Sequence, residues 1–507
     1  MRISIKVSFL LIFTILFSID FSASEINKPD FAYPKQVVQQ SESNLNKALK
    51  DGNGNAVVRS LIDYSIAQLR INTDSIHSVI NKIEHVVAKE KNPCTKALLN
   101  TLLCQIYTNI YLENKYNIDR RTNVSSITPL DITQWSKKDF ENKVFLLCDN
   151  ALQDADAIKK SELRNYGDLI TYNNLTFIYY PTLYDFIANR IIENIENLYG
   201  SDLYTTEILP LDKFLTSSTS NSNSFYCRVY SLYKDVLAFH LNDIAPLIHW
   251  DLERIENSYN TSAIIRENNN NSVSQVNQRD NAVKYLYNTY KQFEYASLAL
   301  IYQWDKLYQN TDSFNKSIFY NLLKKRLSQF PAFSGNCEIR NILNEIEQQK
   351  IMLKFPHQTI PNDTLLIDIS NTNCKSLKVD ILRLPDDIGY KNRYSYKNGV
   401  APQVYKSFVV NCDSIIPFSI NQNIKTTISQ PGYYSIIAYN NDIKKDLNNL
   451  EIIYCSELTS VSANSFSEES RLWVINAKTG KVINNADINI FDKDFLLVDT
   501  YVNGKKI

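Results

Sequence analysis

The chain reads as α then β: an N-terminal all-α, solenoid-like region followed by antiparallel β-sandwich domains, the last one incomplete. Three observations predict this. Apolar residues recur at helical spacing from about Lys35 to Met352. Beyond Met352 the period falls to two and Pro, Asn, Asp and Gly punctuate short runs. Finally, the turn pair Asn503-Gly504 opens a return strand that Lys505, Lys506 and Ile507 are too few to complete. The expected division is 1–24 signal peptide, 25–352 helical region, 353–456 a full β-sandwich and 457–507 the truncated start of a second.

The first segment, "MRISIKVSFLLIFTILFSIDFSAS", carries Arg2 and Lys6 ahead of an apolar run from Val7 to Ile19. That run is short for a membrane span, and Ser22 and Ser24 suit a cleavage after Ser24, so export is expected. No later segment approaches the length of a span.

Within the helical region, Val57, Leu61, Ile66 and Leu69 fall near one stripe, and Leu98, Leu102, Ile106 and Ile110 repeat the effect. Breaks come at "KNPCT" around Pro93, in the Ser-Asn run 217–224 and in the Asn run after Glu267. Ser136 with Asp139, and Thr182 with Asp185, have the spacing of a capped helix start with an acidic residue at the third position. Leu183, Phe186, Ile187 and Ile191 then line one face. The succession of helical hairpins suggests a solenoid-like array, although no fixed repeat period is present. Tyr285, Tyr287, Tyr290, Tyr295 and Tyr302 read as one helix whose rings wrap around it, a spacing that suits inter-helix packing better than a single binding stripe.

After "QQKIMLKFP" the runs "TLLIDIS", "SLKVDILRLP", "YKSFVV", "IIPFSI", "TTISQPGYYSIIAYN" and "LEIIYCSELTSVSA" alternate as strands of an antiparallel sandwich do. "RLWVINAKTGKVINNADINIF" alternates on both sides of Thr479-Gly480 and is expected to be a hairpin, with a second bend at Asn484-Asn485.

Composition narrows function by exclusion. The 507 residues are enough for roughly three domains. Lys plus Arg and Asp plus Glu both number 54, so no global field draws nucleic acid. Only 10 glycines are present, and neither phosphate-loop nor dinucleotide spacing occurs. His77, His85, His240, His249 and His357 form no HExxH, and a solvated or core role is expected for each. The eight cysteines are scattered, with no CxxC, so buried free thiols are the expected state for most. Asp386-Asp387 lies in a turn-like "PDD". No catalytic, cofactor-binding or metal-binding residue is expected, and the chain reads as a non-enzyme.

The order of parts carries a resemblance. A signal peptide, a helical region with "DITQWSKKDF" and "PTLYDFIANRIIEN", a β module opening with "ISNTNCKSLKVDILRLP" and reaching "GYYSIIA", then "LWVINAKTGKVINNADINIFD", together resemble the N-terminal part of bacterial alpha-2-macroglobulin-like proteins of the Bacteroidetes type. "PTLYDFIANR" is the more specific piece; TG-turn strands also occur in other Ig-like surface modules. The resemblance implies serial macroglobulin domains, each a fibronectin-like sandwich, in an envelope protein that traps proteases. It further implies a bait segment and, in many members, a Cys-x-Glu-Gln thioester. No such tetrapeptide is present, so no functional residue of the family maps onto this chain.

The function expected is thus the N-terminal segment of an envelope protease inhibitor lacking bait and thioester, with proteases and other envelope proteins as partners. Its place would be the periplasm or the outer-membrane or cell surface. The alternative is a secreted binding or carrier protein built from helical repeats and Ig-like modules.

Overall fold

The computed structural model describes residues 30–121, 131–173, 175–199, 207–218, 225–266, 272–307, 316–385, 393–394, 402–412, 419–443, 446–447, 450–464, 470–491, 497–502 and 505–506. The expected signal segment, the Asn run at 268–271, Asp386-Asp387 and the Asn503-Gly504 turn lie outside them. Helices come first and strands follow. Two compact units divide the chain, one on Met1–Asp312 with Phe330–Asn336, the other on Ser313–Gln329 with Cys337–Ile507.

In the first unit the helices are α1 (Pro34–Asp51), α2 (Gly54–Ile71), α3 (Ile76–Lys89), α4 (Pro93–Ile118), α5 (Lys137–Ala151), α6 (Ala155–Lys160), α7 (Thr176–Tyr179), α8 (Leu183–Tyr199), α9 (Leu211–Thr216), α10 (Phe225–Phe239), α11 (Ile244–Arg266), α12 (Ser272–Tyr290) and α13 (Ser297–Leu307). Their starts are chemically marked. Asn53 accepts the Ala56 amide at 3.1 Å to open α2. Asn92 caps α4 by accepting from the amides of Cys94 and Thr95, with Pro93 in the first turn where a missing N–H costs nothing. At α5 the Asp139 carboxylate takes both the Ser136 amide (2.9 Å) and hydroxyl (2.6 Å), the expected capping box with Asp in place of Glu.

The stripes read from the sequence face inward. Val57, Leu61 and Leu69, and likewise Leu98, Leu102 and Ile106, are buried in one continuous apolar cluster, with Ile66 and Ile110 half-buried against it. Each such side chain contributes about 1.5–3 kcal/mol relative to exposure. α8 packs on α4, α5, α6 and α10, so it joins helices that are far apart in sequence. The tyrosine segment differs from expectation: α12 ends at Tyr290, and Tyr295 and Tyr302 sit on a 3-10 turn and on α13. All five rings pack, half-buried, against the core.

The second unit contains α14 (Lys316–Gln329), most of α15 (Asn336–Glu347) and the strands. The expected change at 352 to 353 falls inside the first strand, β1 (Lys350–Lys354). One sheet is ordered β1-β3-β7, with β3 Thr364–Thr372 and β7 Ser419–Thr427. A second is ordered β2-β10-β8-β4-β6, built on β2 (Gln358–Thr359), β4 (Ser376–Arg383), β6 (Gln403–Asn411), β8 (Gly432–Tyr439) and β10 (Ile453–Cys455). It is mixed, because β2 runs parallel to β10 while the other pairs are antiparallel. A short pair joins β5 (Arg393–Tyr394) to β9 (Leu450–Glu451).

Leu365, Ile367 and Ile369 of β3 meet Leu377, Val379, Ile381, Tyr434 and Ile436 of the second sheet in one core. The opposite face of that sheet is covered too, where Leu382 and Ile437 meet Leu450 and Ile452. Between β3 and β4 the chain turns through Asn373 at φ 59°, a left-handed conformation that Asn tolerates. Its side chain donates to the Ile346 carbonyl at 2.6 Å, satisfying an acceptor at the end of α15.

The expected hairpin over 471–491 forms only at its turn. Gly480 adopts φ 70°, and the Asn476 side chain accepts from the amides of Lys478 and Thr479 at 3.1 and 2.9 Å. Beyond the turn a single bridge pairs Ile475 with Val482, and the chain bends again at 484–485. β12 (Ser470–Asn476) pairs instead with the preceding β11 (Leu458–Asn464). β13 (Ile488–Phe491) pairs onward with β14 (Leu497–Val502), which pairs with β15 (Lys505–Lys506). Leu472 and Trp473, neighbours on β12 and so on opposite faces, are 43% and 37% exposed, which leaves neither face of that strand well covered. Hydrogen exchange should therefore be much faster in β11 to β14 than in β3, β4 and β8. Equal protection would contradict this difference in packing.

Candidate functional site

A buried polar arrangement grows from the "PTLYDFIANR" stretch. Leu163 and Leu183 donate their amides to the carbonyls of Pro181 and Ser161 at 2.9 and 2.8 Å, fixing the chain just before α8. Thr182 then caps the helix. Its amide and hydroxyl donate to Asp185 Oδ2 at 2.9 and 2.6 Å. Up to this point the arrangement is a helix start of the expected kind.

The other oxygen does more. Asp185 Oδ1 lies 2.7 Å from His240 Nε2 and accepts from Trp250 Nε1 at 3.1 Å. His240 directly follows α10 and Trp250 lies on α11, so one fully buried carboxylate ties together the start of α8 and two later helices. A carboxylate only accepts, so His240 carries its proton on Nε2. On the other side of the ring Nδ1 faces the Asp243 carboxylate at 3.9 Å. A nucleophilic triad would place a hydroxyl or thiol there, so the pair has the contacts of a structural node and lacks those of a relay.

A second chain of bonds runs beside it. Asn189 donates to the Tyr180 hydroxyl at 3.3 Å, and that hydroxyl is 2.8 Å from His249 Nε2. Burial pushes the Tyr180 phenol well up, so it stays protonated beside the imidazole. Tyr179 stacks on the His249 ring at 4.6 Å. Burial lowers His249 to about 4, against a smaller opposing pull from Asp185. Glu253, 3.7 Å from His249, is raised to about 7, by desolvation first and then by Glu193, Glu256 and Glu196.

These two shifts oppose each other in stability. A histidine held below its ordinary value costs stability as pH falls from about 6.5 toward 4, because the unfolded chain then binds the extra proton. A carboxyl held above its ordinary value does the reverse, favouring the fold as pH falls from about 7 toward 4.5. Between them the two contributions should largely offset each other in this window. Glu253→Gln should expose the histidine slope, losing about 2 kcal/mol between pH 6.5 and 4; His249→Asn should instead lose stability as pH rises toward 7. Urea midpoints across pH 4–7, each read as a difference from the native chain, measure both, and differences that do not change with pH would contradict the assignment.

Nearby, Asp251 and Arg254 are buried together, with Arg254 Nε donating to Asp251 Oδ1 at 2.8 Å and Nη2 to the Leu209 carbonyl at 2.8 Å. Among the described residues no group of three or more His, Cys, Asp or Glu side chains is placed to hold a metal. No helix among them is long and apolar enough to cross a membrane.

The sequence marked Thr182 and Asp185 as a cap but not their partners. His240 and Trp250 stand 55 and 65 residues away, and no linear spacing connects them. The available signal was "HLNDIAPLIHWDLERI", where His240 stands ahead of the helix and His249, Trp250, Asp251 and Arg254 interrupt its apolar run. Of the other histidines, His77 lies near Asp131 at 3.7 Å and His357 Nδ1 near the Ile452 carbonyl at 3.4 Å.

No family model and no curated protein matches the chain. Among solved structures it is similar to the Pseudomonas fluorescens alkylpurine DNA glycosylase AlkC bound to DNA containing an abasic site analog, at 9% identity. That match covers 85% of this chain and 100% of that one with a TM-score of 0.17, a level that establishes no shared fold.

Proposed function

We propose that the chain is the N-terminal segment of an envelope alpha-2-macroglobulin-like protease trap, without bait or thioester and without enzymatic activity of its own. The observation that carries this reading is the order of parts: a helical region, then a β module whose two sheets enclose one core, then further β hairpins. On this reading the β modules are macroglobulin-like sandwiches that act as spacers. The helical region is a scaffold; the expected solenoid-like array gives way to one continuous core, because α8 packs on helices distant in sequence. The buried node at Asp185 supports a structural role, since its carboxylate is already occupied by Thr182, His240 and Trp250. Proteases are the targets, and the place is the periplasm or the outer-membrane or cell surface.

Sequencing the gene beyond the codon for Ile507 tests the reading. A frame continuing through further β modules to a Cys-x-Glu-Gln supports it. A stop there, with saccharide or protein ligands bound by the helical region, would overturn it in favour of a surface carrier.

A further inference from the structure

Two of the eight cysteines, scattered in sequence, meet in space. Cys104 on α4 and Cys148 on α5 are 44 positions apart, yet their sulfur atoms lie 3.5 Å from each other. Both are buried, at 0% and 3% exposure. Aromatic packing keeps the two helices in register: Tyr107 stacks on Trp135 at 5.4 Å, and Phe140 meets Trp135 at 5.2 Å and Tyr111 at 5.9 Å. We propose that Cys104 and Cys148 form an intramolecular disulfide, tying α4 to α5, when the chain meets a disulfide oxidant.

The remaining step is small. A disulfide needs its sulfurs at about 2.05 Å, so the gap must close by about 1.5 Å, within reach of side-chain rotation between helices already in contact. The chemistry is two exchanges. One cysteine, as its thiolate, attacks a sulfur of a low-molecular-weight disulfide; the oxidant's S–S bond breaks and its first thiol leaves with a proton. The second cysteine gives up its proton and attacks the protein sulfur of the mixed disulfide, forming the Cys104–Cys148 bond and expelling the second thiol. Two protein thiols lose two electrons and one external disulfide gains them.

Burial sets the rate. The hydrogen bond to Cys148 and desolvation hold the Cys104 thiol well above its ordinary pKa, so it reacts only when the α4–α5 contact opens locally. Cys337, exposed and donating to Glu338 Oε2 at 2.7 Å, should form its glutathione adduct sooner. The inference does not depend on the trap reading.

The test is to expose the full chain, folded, to oxidised glutathione, then denature it, alkylate the remaining thiols and map the peptides by mass. The expected result is a species joining the Cys104 and Cys148 peptides, absent from Cys104→Ser and Cys148→Ser. It should bring a rise in thermal midpoint of roughly 5 °C that a reductant reverses. Recovery of both cysteines alkylated at the oxidation endpoint, or of either as a glutathione adduct without the link, would overturn the proposal.

Discussion

Asp185→Ala should cost the first unit about 4 kcal/mol, measured as a shift in denaturant midpoint followed by tryptophan emission. The substitution removes the acceptor for the Thr182 amide and hydroxyl, the His240 ring and the Trp250 indole, all at once. Each donor left buried without a partner costs about 1–3 kcal/mol, partly recovered where water or local relaxation reaches it. Asp185→Asn keeps one acceptor oxygen and the shape, so it should lose roughly half as much. Trp250 sits against Tyr180 and Tyr233, with ring centroids at 5.4 and 6.1 Å, so loosening this node should also shift its emission to the red. A loss below about 1 kcal/mol would mean that the carboxylate is a cap and nothing more.

The second large effect is expected in the β core. Tyr434 on β8 is fully buried, with its hydroxyl donating to the Gln430 carbonyl at 2.9 Å and its ring 5.2 Å from that of Tyr405. Arg383 lies over the same ring at 5.0 Å and donates to the Pro431 carbonyl at 2.6 Å. Tyr434→Ala empties the middle of the core shared by the two sheets and should cost about 3–5 kcal/mol. Hydrogen exchange in β3, β4 and β8 reads the loss directly. Tyr434→Phe, which keeps the ring and drops one hydrogen bond, should cost only about 1 kcal/mol. Similar losses for the two variants would place the stabilisation in the hydroxyl and contradict the packing account.

Much of the architecture was legible because it is written locally. The passage from helices to strands, the acidic capping pairs at Ser136 and Thr182 and the Thr479-Gly480 turn all depend on residues within a few positions of one another. What escaped depends on distance along the chain. The TG turn was visible, but strand pairing is decided by which run supplies a continuous partner. β11 does so over seven residue pairs, whereas the stretch after Gly480 bends away after one bridge. The same holds for the Asp185 node and for the two cysteines, whose partners come from separate helices.

The most direct measurement for the proposed trap uses the full-length protein, incubated with active proteases and then assayed on a large protein and on a small chromogenic peptide. Trapping predicts a stable complex in which cleavage of the large substrate falls steeply while cleavage of the small peptide persists. No complex, with both substrates cleaved as fast as by free protease, would contradict it.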